Sequence, residues 1–132
     1  MNKHPFQTAL ETKDIPALPG LFTSDIEFHS PIVYQPFKGR QNVSSLISLL
    51  RNTFADVAYT SDLGDEHRRV LVCDVTLDGL QGQNLQFLRF DEHGLIADIT
   101  VFLRPLRIAL ALAEKLRPYA DQHPDGSYSL KG

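Results

Sequence analysis

The chain is short of the residues that would make several function classes easy to read. It holds a single cysteine, Cys73, so no internal disulfide can staple it, and the disulfide scaffolds of small secreted domains are excluded. It has no tryptophan and one methionine. Positive charge is not in excess. Thirteen Lys and Arg stand against 16 Asp and Glu, for a net charge of -3. The densest basic run, His67-Arg68-Arg69, follows Asp65-Glu66, which largely cancels its field, so no nucleic-acid partner is expected. No apolar run approaches the roughly 20 residues that span a bilayer. The first residues, Met-Asn-Lys-His-Pro-Phe, form no apolar leader. The expectation is a cytoplasmic protein with no membrane partner. Five scattered histidines (His4, His29, His67, His93 and His123) show no metal-ligand spacing, so no metal is expected. There is no Gly-x-Ser-x-Gly elbow and no phosphate-cradling glycine loop.

What is present speaks mainly of fold. From Gly94 to Leu116 a strand (95–103) meets Arg104-Pro105 and passes at once into an Ala/Leu-rich helix (105–116). Proline has no backbone donor to lose and suits a helix start. Upstream, 4–13 reads as a short helix and 14–22 as a second, weakened by Pro19-Gly20. Residues 25–29 read as a strand ended by Ser30-Pro31, and 32–38 as a loop. The clearest helix is 39–54, with Val43, Leu46, Ile47, Leu50 and Phe54 at three- and four-residue steps. Strands are predicted at 56–63, 69–77 and 84–90, with turns at 64–67, 78–83 and 91–94. The stretch 118–132 is polar and reads as a flexible tail. At 132 residues the chain reads as one domain of the α+β class, with helices on one face of a curved, antiparallel sheet.

The order of these segments resembles the nuclear-transport-factor-2-like family, also called cystatin-like, and within it the SnoaL-like branch. The residues that carry the likeness are Leu21-Phe22, Asp25-Ile-Glu-Phe28, Ser30-Pro31, Gly39-Arg40, Asp91-Glu-His-Gly-Leu-Ile96 and Val101-Phe-Leu-Arg-Pro105. The resemblance implies a cone, in which a strongly bent antiparallel sheet wraps the N-terminal helices, leaves an apolar pocket at its open end and is followed by a C-terminal helix. It also implies a homodimer through the outer sheet face. Enzymes of this kind use a pocket carboxylate as acid or base, with a Tyr, His or Arg beside it, and need no cofactor.

Strand alternation then sorts the candidate residues. In 69–77 the apolar side, Leu71, Cys73, Val75 and Leu77, is the core face; Asp74 lies opposite, and Cys73 is expected to be buried and inert. In 95–103 the parity is open. If Ile96, Asp98, Thr100 and Phe102 face in, Asp98 is the pocket carboxylate and Thr100 lines the pocket; if Ala97, Ile99, Val101 and Leu103 face in, Asp98 is on the surface. Arg89 shares a face with Leu85 and Phe87, and either pairs inward with Asp98 or stands outside. His29 points outward or to the pocket mouth if Phe28 packs inward, and there it could titrate near neutral pH. Tyr34 and Phe37 lie on the loop expected to overhang the pocket, and Tyr59 shares its face with Val57, Ser61 and Leu63. Two functions are carried forward. One is a small dimeric domain whose pocket binds a small hydrophobic molecule, with Tyr34, Phe37, Tyr59, Arg89 and Thr100 as contacts. The other is a cofactor-independent isomerase, cyclase or hydrolase in which Asp98 moves the proton and His29 or Tyr34 polarises the substrate oxygen. A third reading is a protein-binding module that uses the outer sheet face.

Overall fold

Residues 2–124 and 128–130 are described by the computed structural model. The periodic stripe Val43, Leu46 and Ile47 is buried on helix α2 (Arg40–Thr53). Helix α1 (Pro5–Thr12) starts where His4 Nδ1 accepts the Phe6 N–H, and it buries Phe6, Ala9 and Leu10. Where a second short helix is predicted, Pro16 and Pro19 divide the chain into two single 3-10 turns, Ile15–Ala17 and Pro19–Leu21. Helix α3 (Leu106–Leu116) follows Pro105, which takes the N-cap position, and buries Ile108 and Leu112.

The strands are β1 (Phe22–His29), β2 (Phe37–Lys38), β3 (Asp56–Gly64), β4 (Arg68–Leu77), β5 (Leu80–Phe90) and β6 (Ile96–Arg104). They form one sheet in the order β2-β1-β6-β5-β4-β3. The meander from β3 to β6 is antiparallel, as short turns require. The sheet as a whole is mixed, because β1 runs parallel to β6. No turn joins those two strands, so nothing local dictates their relative direction. The predicted turn at 78–83 shrinks to Asp78-Gly79, both at positive φ (51° and 76°), and Leu77 closes the hairpin against Leu80.

The core lies on one face of this sheet. Helices α1 and α2 cover Phe22, Ile26 and Phe28 of β1 together with Leu71, Leu88, Ile99 and Val101. Helix α3 returns over Cys73, Val75 and Leu77 of β4. Gly82 lets it come close: a Cβ there would stand 2.6 Å from the Arg104 carbonyl oxygen and 2.9 Å from the Ile108 side chain. After α3, a 3-10 turn (Arg117–Tyr119) leads to a small hairpin, β7 (Ala120–Gln122) with β8 (Tyr128–Leu130). The expected flexible tail therefore includes paired strands, while 125–127 and 131–132 lie outside the described residues. No helix among the described residues is long and apolar enough to cross a membrane.

Candidate functional site

Two cavities meet between the helices and the inner face of the sheet. The outer chamber, of about 300 Å³, sits under α2 and α3 and is walled by Ile32, Val33, Phe37, Leu46 and Leu116 among others. Among the described residues its one charged wall residue is Arg117, which already pairs with Glu114 at 2.6 Å on the exposed surface. The inner chamber is smaller, about 50 Å³, and lies deeper against β4, β5 and β6. Pro31, Leu50 and Leu112 line both chambers and so form the partition. The inner walls are mostly apolar, with Phe6, Phe28, Ile47 and Ile99, but four polar side chains share them: Arg51, Cys73, Asn84 and Gln86.

Register explains how polar groups reach the core. Directly paired residues of antiparallel strands share a face. Cys73 opposes Asn84 and Leu71 opposes Gln86, so both amides point inward with the apolar side of β4. They are 8% and 7% exposed. Gln86 has a partner at each end: its Oε1 accepts the Tyr59 hydroxyl at 2.9 Å, and its Nε2 donates to Cys73 Sγ at 4.0 Å. Burial pushes the Tyr59 hydroxyl far above its ordinary range and raises the Cys73 thiol to about 12, so neither ionises near neutral pH. Asn84 differs. Its Oδ1 is enclosed and has no partner among the described residues. Arg51, in the last turn of α2, ties Nε to the Leu10 carbonyl at 2.7 Å, yet its Nη1 is also enclosed without a partner. Two unanswered polar atoms therefore belong to residues on the wall of one cavity. Buried polar atoms are nearly always paired, so such atoms call for an explanation.

Most of the residues singled out from sequence gather elsewhere. A bulge at Ala97, where Arg89 opposes Asp98 but Phe90 opposes Ile96, sets the parity of β6. Ile99 and Val101 face the core, and Asp98, Thr100 and Phe102 face out. Asp98 is thus not a carboxylate of the inner cavity, and Thr100 does not line it. Phe28 packs inward and His29 outward. On that outer face the His29 Nε2–H donates to Asp98 Oδ2 at 2.9 Å, and Glu27 Oε1 lies 3.6 Å from the same nitrogen. Thr100 donates to Asp98 Oδ1 at 3.3 Å. His29, Asp98 and Thr100, with Arg89 and Tyr34, line an open groove of about 660 Å³. Arg89 sits opposite Asp98 in register, but its guanidinium lies 4.8 Å from the centre of the Phe87 ring, and the side chain that meets the Asp98 carboxyl is His29. Tyr34 is 94% exposed and overhangs the outer groove, not the inner chambers. One ligand atom each from Glu27, His29 and Asp98 lies within 4.8 Å of the others, so this trio is the group that could hold a metal ion among the described residues.

Two nominated residues do lie inside. Phe37 is buried, pairs with Phe28 across β1 and β2, and walls the outer chamber. Tyr59 faces in, but a bulge at Thr60 turns the rest of β3 over. Ser61 and Leu63 are exposed there, and Asp62 faces Arg69 with bonds of 2.7 and 2.6 Å. Sequence reasoning passed over Arg51, Asn84 and Gln86, the polar groups that mark the inner chamber.

No family model and no curated protein matches the chain. Solved structures do. A cystatin-like-fold protein from Silicibacter pomeroyi superposes with a TM-score of 0.81 at 22% identity, over 87% of this chain and 84% of that one. A steroid delta-isomerase from Pseudomonas aeruginosa gives 0.81 at 27% identity, over 86% and 84%. An NTF2-like protein of unknown function from Cytophaga hutchinsonii gives 0.64 at 16%, over 78% and 87%. The fold is therefore the nuclear-transport-factor-2-like, cystatin-like one.

Proposed function

We propose that this chain binds a small, mostly apolar molecule between its helices and the inner face of its sheet. The observation that carries the reading is the pair of adjoining chambers. The outer one is apolar and near the lower end of the size range of ligand pockets, and the inner one is walled in part by Arg51 and Asn84, each with an enclosed polar atom that has no partner among the described residues. A pocket of this kind, greasy with a few fixed polar groups, is how proteins orient a small ligand. On this reading the protein is cytoplasmic and works without a cofactor. The test is a titration of isotope-labelled protein with medium-chain alcohols and acids, followed by NMR. Shifts at Leu46, Leu50, Leu112 and Asn84, with Phe102 and Thr100 unmoved, are expected. Shifts confined to the outer face would overturn it.

A second reading rests on the His29–Asp98 pair. A carboxylate holding an imidazole at 2.9 Å is an acid–base unit, and Tyr34 and Arg89 border the same groove. A cofactor-independent isomerase, cyclase or hydrolase would work there, on the outer face. Its likeness to a steroid delta-isomerase of 27% identity supports that class of chemistry. Turnover of a panel of ketones and epoxides, lost in Asp98→Asn, is the expected result; equal turnover by the variant would remove the pair from any mechanism. The outer face also suits a second copy of the chain, because Phe102 is 55% exposed beside the partly exposed Val70, Val72, Leu85 and Phe87. Light scattering should give a dimer that Phe102→Glu dissociates; a monomeric native chain would end the dimer proposal.

A further inference from the structure

Two residues on the wall of the inner chamber each carry an enclosed polar atom without a partner, and the needs of the two differ. Arg51 is a permanent cation, and Nη1 is a donor with nothing to donate to. No ion pair among the described residues includes it; its one described hydrogen bond, from Nε, goes to the neutral carbonyl of Leu10. Among the described residues Arg51 is also the one charged group on the wall of the inner chamber. A guanidinium against an apolar cavity gains most from an anion, and its planar fork fits a carboxylate. Asn84 Oδ1, 8% exposed as a residue and unpartnered, is an acceptor and calls for a donor. A bare carboxylate would leave it unanswered, whereas a hydroxyl near the carboxylate would answer it. The apolar outer chamber, separated from this end only by Pro31, Leu50 and Leu112, has room for a hydrocarbon chain.

We infer that the ligand is an apolar hydroxy-carboxylic acid, its carboxylate on Arg51, its hydroxyl on Asn84 and its chain in the outer chamber. This rests on the binding reading proposed above and narrows it to one class of molecule. The test is calorimetric titration of the native chain with 3-hydroxydecanoate, decanoate and decanol. Decanoate should bind about ten-fold or more tighter than decanol, the worth of a charge-assisted bond. The hydroxy acid should bind tighter again. Arg51→Met should erase the advantage of acid over alcohol, and Asn84→Leu the advantage of the hydroxy acid over decanoate. Arg51 also holds Leu10, so Arg51→Met can loosen α1; the comparison of acid with alcohol on the native chain decides the point without it. Decanol binding as well as decanoate would overturn the acid assignment and leave the chamber reading standing. Equal affinity for decanoate and its hydroxy form would overturn the role of Asn84. Binding of none of the three would overturn the chamber reading as well.

Discussion

Asn84 and Gln86 stand two residues apart on one strand face, are almost equally buried, and should respond to the same substitution with opposite signs. Asn84 Oδ1 has no partner, so the folded protein carries the desolvation of a carbonyl oxygen with nothing in return. That costs about 1–3 kcal/mol. Leucine branches as asparagine does but is larger, so its extra volume would enter the small inner chamber, where it would face Cys73 and Leu103, its neighbours in register, and the apolar wall. Asn84→Leu should therefore stabilise the ligand-free protein by about 1–2 kcal/mol, or roughly 4–8 °C in Tm for a domain of this size. Gln86 is paired at both ends, with the Tyr59 hydroxyl and with Cys73 Sγ. Gln86→Leu strands the Tyr59 hydroxyl inside the core and should destabilise by about 1–3 kcal/mol. Urea unfolding at matched slope, with thermal melting alongside, measures both. A lower midpoint for Asn84→Leu would refute the reasoning, because it would mean that the oxygen is already satisfied in the ligand-free protein and that Asn84 belongs to the fold and not to a site. Two shifts of the same sign would be equally damaging.

Other consequences follow from the same geometry. Leu112→Ala removes part of the partition between the chambers; it should cost about 2–5 kcal/mol and let longer chains bind, as read by unfolding and by titration with a homologous series of acids. Gly82→Ala drives a methyl group to 2.6 Å from the Arg104 carbonyl oxygen and into Ile108, so α3 should lift and stability fall by about 1–3 kcal/mol, with hydrogen exchange rising first in 106–116. Stability should decline from pH 7 to pH 5, because burial and the charge of Arg69 hold His4 below its ordinary 6.5. The unfolded chain then takes the proton first, and stability is lost as pH falls through 6.5 toward the lower folded value. His4→Ser keeps an acceptor for the Phe6 N–H and should flatten that slope; an unchanged slope would clear His4 of the effect. At lower pH the hydrogen bond from Arg69 keeps the Asp62 carboxyl below its usual range. Its contribution is present above the unfolded carboxylate value and lost as pH falls through the folded one, so Asp62→Asn should remove that acid limb and cost about 2 kcal/mol at neutral pH.

How far the sequence could be read depended on whether a periodicity is local. The stripe of α2 and the alternation Leu71, Cys73, Val75, Leu77 of β4 are local, and both are buried as expected. The side on which Asp98 falls was not local, because one bulged residue, Ala97, shifts the parity of a strand in which one face is apolar and the other carries Ile96 and Phe102 beside its polar residues. Thr60 did the same to Ser61 and Leu63 on β3. The polar residues of the inner chamber were missed for a different reason. The alternation of β5 leaves open whether Leu85, Phe87 and Arg89 face in or out, and in the structure they form the outer face. The information that corrects this was in the chain. Asp78-Gly79 is a strong two-residue hairpin signal, and both residues take the positive φ that such a turn demands. Read as a turn of two residues, and not as a loop over 78–83, it pairs Leu77 with Leu80 and then, step by step, Cys73 with Asn84 and Leu71 with Gln86. Since Cys73 and Leu71 are unambiguously core, the two amides must point into it, and a buried asparagine whose oxygen has no partner among the described residues calls for an explanation.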